Sequence, residues 1–292
     1  MSTRVLVTGA DGQLGRPLVR ILAEDPGMTV LGADRQRLDI TDRTSIARVM
    51  ADFAPDVIVN CAAWTAVDDA ETHEDAATAV NGTAVAHLAQ ACASGRAWLL
   101  QMSTDYVFDG RAHSPYAEDA QPNPVSAYGR SKLAGELAVQ RELPDRHYIV
   151  RTAWLYGMHG NNFVHTILRA LAQRGSVDVV DDQLGQPTYA DDLARQIRAL
   201  ISRKPGAGIF HGTNSGMTTW FGFTRAIAAE AGYPDSAVRP TNTAAFPRPA
   251  ARPAYSVLGH GRWTDVGLPQ MRDWRVALSA AVHDGVLTPR AQ

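Results

Sequence analysis

Cysteine is nearly absent: Cys61 and Cys92 are the two in 292 residues, too few for a disulfide framework and suited to a reducing compartment. Charge of one sign is missing as well. With 28 basic and 30 acidic side chains the formal net charge is −2. Without a basic excess no nucleic-acid partner is expected. No apolar run approaches the roughly 18 residues that a membrane-spanning helix requires. The chain opens on the strand-like Val5-Leu6-Val7 rather than on a charged-then-apolar leader, so a soluble, cytoplasmic protein with no membrane contact is expected. The nine histidines include no His-Glu-x-x-His and no paired metal spacing, which leaves a metal site without support. No Gly-x-Ser-x-Gly elbow is present for a serine hydrolase. Lysine is the last scarcity. Lys132 and Lys204 are the only two, and the other 26 basic residues are arginine, so a lysine at any one position invites a chemical reason.

What is present is an ordinary globular composition, 45% hydrophobic and 20% charged. The length suits one large domain or two coupled ones. Short apolar runs alternate with helical stretches through the first half. Strands are expected at Val5–Thr8, Met28–Ala33, Asp56–Asn60, Ala97–Met102 and Tyr148–Arg151, and helices at Leu14–Ala23, Ser45–Phe53, Ala76–Ala93 and Tyr128–Arg141. This alternation indicates βαβ units and a parallel, doubly wound sheet with both faces covered. The pattern loosens after about Tyr156. There a helix over Phe163–Gln173, a strand over Val177–Val180 and a helix over Ala190–Ile201 are expected, and Pro240–Pro253, with four prolines, reads as a loop. The expected architecture is a Rossmann-like α/β domain over 1–155 plus about 180–213, with a smaller, discontinuous α/β substrate domain over about 156–179 and 214–292.

Three constellations carry chemistry. Thr8-Gly9-Ala10-Asp11-Gly12-Gln13-Leu14-Gly15 follows the first strand and opens a helix. Glycines there permit a tight turn and close approach to a pyrophosphate at the helix N-terminus. Asp34 ends the second strand, where a carboxylate can hold the adenosine ribose. Arg35 beside it is either a solvated surface residue or a seat for a 2′-phosphate; the choice between NADP and NAD stays open on these residues, with Arg35 favouring NADP. Next, Tyr128-Gly129-Arg130-Ser131-Lys132 puts a phenol and an ammonium on one helix face. A cation beside a phenol brings its proton into use near neutral pH. Last, Ser103-Thr104-Asp105-Tyr106 sits at the carboxyl end of the fourth strand, where ligands of open α/β sheets bind. A hydroxyl there either caps the loop or binds a carbonyl oxygen that gains charge. The Trp220-Phe221-Gly222-Phe223 cluster reads as packing, and the glycosylation-type triplet Asn81-Gly82-Thr83 as chance.

With these residues in place the chain resembles the extended short-chain dehydrogenase/reductases and, among them, the dTDP-4-dehydrorhamnose reductase family. The likeness runs through Leu38-Asp39-Ile40-Thr41-Asp42, Asn60-Cys61-Ala62-Ala63-Trp64-Thr65-Ala66-Val67-Asp68, Ser103-Thr104-Asp105-Tyr106-Val107-Phe108 and Tyr128-Gly129-Arg130-Ser131-Lys132. It continues through Arg151-Thr152-Ala153-Trp154, Gln183-Leu184-Gly185-Gln186-Pro187-Thr188 and Arg252-Pro253-Ala254-Tyr255-Ser256. Related dehydratases carry glutamate where Tyr106 stands, which tells against water loss.

The resemblance implies NAD(P)H-dependent reduction of the 4-keto group of dTDP-4-dehydro-L-rhamnose, with NADP(H) preferred and NAD(H) accommodated. It implies Thr104, Tyr128 and Lys132 as the catalytic trio, and Gly9, Gly12, Gln13, Leu14, Gly15, Asp34, Arg35, Asp39, Ile40, Ala62, Ala63 and Thr65 around the dinucleotide. Thr104, Asp105 and Trp154 would hold the sugar. Pro17 stands where some members carry a glutamate for a magnesium-linked dimer, so no metal is carried over; a homodimer is still in keeping with the family. Two rivals share these motifs. One is a sister ketoreductase of antibiotic deoxysugar synthesis, for example a dihydrostreptose-type synthase. The other is a non-catalytic regulatory subunit of methionine adenosyltransferase, against which the intact trio weighs.

Overall fold

The computed structural model describes residues 2–287; Met1 and residues 288–292, the ends of the two expected domains, lie outside the described residues. Six strands form the main sheet: β1 (Thr3–Thr8), β2 (Met28–Ala33), β3 (Val57–Asn60), β4 (Trp98–Thr104), β5 (His147–Thr152) and β6 (Gly208–His211). Their order is β6-β5-β4-β3-β1-β2, and every neighbouring pair is parallel. Because β1 lies between β2 and β3, the winding reverses there, and the crevice at the carboxyl ends of β1 and β3 is where such a sheet takes a ligand. β6 is the strand that the sequence did not announce: it has four residues and begins on Gly208.

Both sheet faces are covered, as the near-continuous apolar strands require. On one face Val5, Val7, Val57, Val59 and Val150 meet α1 (Gly15–Ala23), through Leu18, Ile21 and Leu22, and the helix Ala190–Arg203, through Leu193, Ile197 and Leu200. On the other, Leu6, Ile58, Leu99 and Ile149 meet α2 (Arg43–Phe53), α3 (Ala84–Gly95) and α4 (Ala127–Glu142). Asp42 caps α2 by accepting from the Thr44 amide at 2.8 Å, and Ser126 caps α4 by accepting from the Gly129 amide at 3.1 Å. The second cap fixes the first turn of the helix that carries Tyr128 and Lys132.

One expected helix is broken. Ala76–Ala93 is not continuous: a π turn over Ala79–Thr83 separates Glu74–Thr78 from α3. Such an insertion turns a side chain inward, here Asn81, which is 1% exposed. Its carboxamide accepts from the Trp64 amide at 2.9 Å and donates to the Trp64 carbonyl at 3.0 Å and to Ser131 Oγ at 3.0 Å. The Asn81-Gly82-Thr83 triplet is thus an internal clamp between the loop after β3 and α4.

A third core lies beyond Tyr156, where Val164, Ile167, Phe223, Ile227, Trp274 and Leu278 pack around the parallel pair Val177–Val180 and Val238–Thr241. Pro240 sits in that pair rather than in a loop, which an edge strand tolerates. The segment around Trp263 and Met271 returns to the first core, where Trp263 packs against Phe210.

Candidate active site

A cleft of about 840 Å³ runs along the carboxyl edge of the sheet, a volume suited to a dinucleotide and part of a second ligand. At one end β1 turns through Gly9, whose φ is +60° and where a Cβ would stand 2.8 Å from the Ala62 amide nitrogen. Only glycine fits that turn and that approach. The turn delivers the N-terminus of α1, which has no side-chain cap, so its positive dipole end faces the cleft, although the Arg16 amide is bonded to the Gly12 carbonyl at 3.2 Å and Pro17 has no amide hydrogen. The buried Gln13 Nε2 faces the same cleft with no hydrogen-bond partner among the described residues. Asp34 lines the cleft while accepting from the Arg37 amide at 2.8 Å. Arg35, 88% exposed, approaches Asp39 at 3.7 Å. Glycine turn, uncapped helix end, orphan donor and exposed guanidinium together fit a nicotinamide dinucleotide.

All the residues singled out from the sequence line this cleft except Gly15, Asp39 and Ile40. Gly15 packs behind the turn, where a Cβ would stand 2.2 Å from the Gly9 carbonyl oxygen. Asp39 spends its carboxylate on the Thr41 amide and hydroxyl, at 2.9 and 2.7 Å, which hold it below the usual carboxylate range. Ile40 is 4% exposed in the core between sheet and α2.

At the other end β4 delivers Thr104 and α4 delivers Tyr128 and Lys132. Thr104 Oγ1 donates to Asp105 Oδ1 at 3.0 Å and accepts from the Tyr106 amide at 3.2 Å. Lys132 is 4% exposed, and its Nζ donates to the Met102 carbonyl at 2.7 Å. Burial pulls its pKa down to about 8, opposed by the nearby Glu136 and Cys61. Burial, with the Asp105 charge, pushes Tyr128 up to about 12 in spite of a hydrogen bond with Thr104. Lys132 is not among the groups that offset this rise, and desolvation is the largest cause for both side chains. Asp105 is pushed up to about 6 by burial, against hydrogen bonds with Ser256 and Thr104. Its Oδ2 has no hydrogen-bond partner among the described residues.

Trp154 closes the cleft. Its φ of +45° is rare for a bulky residue and costs on the order of 1–3 kcal/mol. Trp220 stacks on it at 3.6 Å with planes 11° apart, and a Cβ at Gly185 would stand 2.6 Å from the indole, so the ring is wedged. The Trp220 cluster is therefore not packing alone: Phe223 is buried in the third core, but Trp220 lines the cleft. Trp220 and Tyr106 also border a second cavity of about 380 Å³, with Phe163, Phe246, Arg248 and Arg252 on its walls. From sequence Trp220 reads as packing, since its place in the cleft depends on an indole 66 positions away. Asn81 was hidden by its triplet.

A doubly wound parallel sheet, a glycine turn at its switch point and a half-buried tyrosine four residues before a buried lysine, beside a strand-end hydroxyl, define an extended short-chain dehydrogenase/reductase. The chain belongs to the family described as RmlD substrate binding domain, whose profile matches residues 3–286. A dTDP-4-dehydrorhamnose reductase of Streptomyces griseus is 49% identical over 94% of this chain and 92% of its own. A dTDP-4-keto-6-deoxy-D-glucose reductase of Streptomyces niveus is 48% identical over 96% and 97%. Among solved structures, dTDP-4-dehydrorhamnose reductase from Bacillus anthracis, in complex with NADP, superposes with a TM-score of 0.93 at 39% identity, covering 97% of this chain and all of that one. Among the described residues no helix is long and apolar enough to cross a membrane.

Proposed function

We propose that this chain reduces the 4-keto group of dTDP-4-dehydro-L-rhamnose to give dTDP-L-rhamnose, with NADPH preferred over NADH. The observation that carries this reading is the meeting of Thr104, Tyr128 and Lys132 on one wall of the cleft, beside a cavity bordered by two arginines. The relatives named for the same reaction support it. When bound, the nicotinamide supplies a hydride. The glycine turn and α1 N-terminus hold its pyrophosphate, Asp34 the adenosine ribose and Arg35 a 2′-phosphate. Thr104 binds the keto oxygen. Tyr128 keeps its proton at neutral pH because burial holds its pKa near 12, and gives it up as that oxygen becomes a more basic alkoxide. Lys132 grips the ribose of the nicotinamide. Asp105 and the wedged Trp154 orient the sugar, and the second cavity takes the nucleotide, its arginines facing the diphosphate. The third core, built from the later chain, forms the substrate lobe. A cytoplasmic homodimer completes the proposal.

The test is NADPH oxidation by the purified protein on dTDP-4-dehydro-L-rhamnose, with dTDP-4-keto-6-deoxy-D-glucose as competitor substrate. Faster turnover of the first supports the assignment; turnover of the second alone transfers the site to a sister sugar. Two further outcomes follow. Arg35→Ala is expected to weaken NADPH about tenfold while NADH stays within about twofold, read by fluorescence titration. Below about pH 8 Lys132 carries its charge, so kcat/KM is expected to decline as pH rises past that point. A profile level to pH 10 would remove Lys132 from the mechanism.

A further inference from the structure

The arginines beside the second cavity do not hang free. Asp68, in the short helix Val67–Ala70 next to the cleft, accepts from Arg252 Nη2 at 2.9 Å and from the Ala250 amide at 3.2 Å. Arg248 Nη1 stands 3.7 Å from its other oxygen. One carboxylate thus gathers a segment that lies 182 residues further along the chain. Arg252 is fixed on two more sides: Nη1 donates to the Ala250 carbonyl at 3.2 Å, and Cζ lies 5.9 Å from the centroid of the Tyr106 ring. Asp178, the carboxylate on the cavity wall, is taken by Arg239 at 2.7 Å.

We infer that Asp68 is a positioning residue for the substrate diphosphate: it holds Arg248 and Arg252 on the wall of the second cavity, so that their guanidinium groups meet the nucleotide's phosphates. The inference rests on the substrate reading above and adds the residue that organises the anion seat. Two guanidinium groups against one carboxylate leave a positive excess, so the seat attracts an anion even with Asp68 charged. Arginine side chains have many rotamers, and ordering them in advance removes a cost that binding would otherwise carry. The same contact ties the proline-rich segment 247–253 to the wall of the cleft.

The experiment measures Kd for dTDP, thymidine and NADPH by calorimetry on the wild-type chain and on Asp68→Asn, Arg252→Gln and the double variant. Asp68→Asn is expected to weaken dTDP about tenfold, with thymidine and NADPH within about twofold, because only the diphosphate loses its partners. The double variant is expected to bind dTDP no more weakly than Arg252→Gln, since Asp68 acts through the arginine. NADPH binding reports that each variant is folded around the cleft. Equal dTDP affinity in wild type and Asp68→Asn overturns the inference and leaves the reductase reading standing. So does a full additional loss in the double variant. A wild-type chain that binds thymidine as tightly as dTDP overturns both together.

Discussion

Tyr128→Phe is expected to lower kcat about 10²–10⁴-fold while NADPH affinity stays within about twofold. The variant removes one oxygen and leaves the ring where it is. That ring packs with Trp64 against Ala70, Ala77 and Ala127 and meets Tyr106 edge-on at 5.7 Å, contacts that do not involve the hydroxyl. Lys132 keeps its bond to Met102 and Thr104 its bond to Asp105, so the cofactor grip and the oxygen seat survive. What disappears is the proton that the new alkoxide must receive. Replacement by bulk water is poor in a site whose polar groups are as desolvated as Lys132 and Asp105. Single-turnover absorbance at 340 nm separates this loss from product release. A variant that keeps more than a tenth of the wild-type rate would assign the proton to another donor, and Asp105, pushed up to about 6, would be the first to test.

The legible parts of this protein are those in which one local rule decides the outcome. β1, β2 and β3 are short apolar runs between turn residues, and their order follows once helices separate them. The glycine turn and the Tyr128/Lys132 pair are written in consecutive residues, and α4 starts one residue from its expected place because Ser126 caps it. The parts that stayed hidden depend on contacts between distant segments. β6 is a strand because Gly208–His211 finds β5 beside it, not because four residues have a strong preference. The π turn at Ala79–Thr83 lies in an alanine-rich stretch that supports an unbroken helix on propensity alone. Its cause is tertiary: Asn81 answers the Trp64 backbone, seventeen residues away. Trp220 joined the cleft for the same reason, through its stack on Trp154. Asp39 and Ile40 show the converse. They belong to a motif carried over by resemblance, yet Thr41 and the second core already occupy their side chains.

Glu136→Ala is expected to destabilise the fold by about 3–5 kcal/mol, the usual consequence of leaving one member of a buried ion pair alone. Arg151 and Glu136 are 1% and 2% exposed. Arg151 Nε and Nη2 donate to the two carboxylate oxygens at 2.9 and 2.7 Å, and Ser103 Oγ donates to Oε1 at 2.5 Å. Removing Glu136 strands a guanidinium against the ring of Phe108, 5.0 Å from its centroid, with the Glu118 carbonyl at 3.3 Å as its remaining acceptor. The paired replacement Glu136→Leu with Arg151→Met removes both charges and is expected to recover most of the loss, because the cost lies in an unpaired charge rather than in a missing attraction. Urea denaturation of the single and double variants reads this directly; a single variant within about 1 kcal/mol of wild type would mean that water reaches Arg151. The pair also bears on the chemistry. Glu136 stands one turn beyond Lys132 and favours its charged form, so Glu136→Gln must also lower the pH at which Lys132 deprotonates. The alkaline decline in kcat/KM is then expected to begin below about pH 8, a displacement that a purely structural pair would not produce.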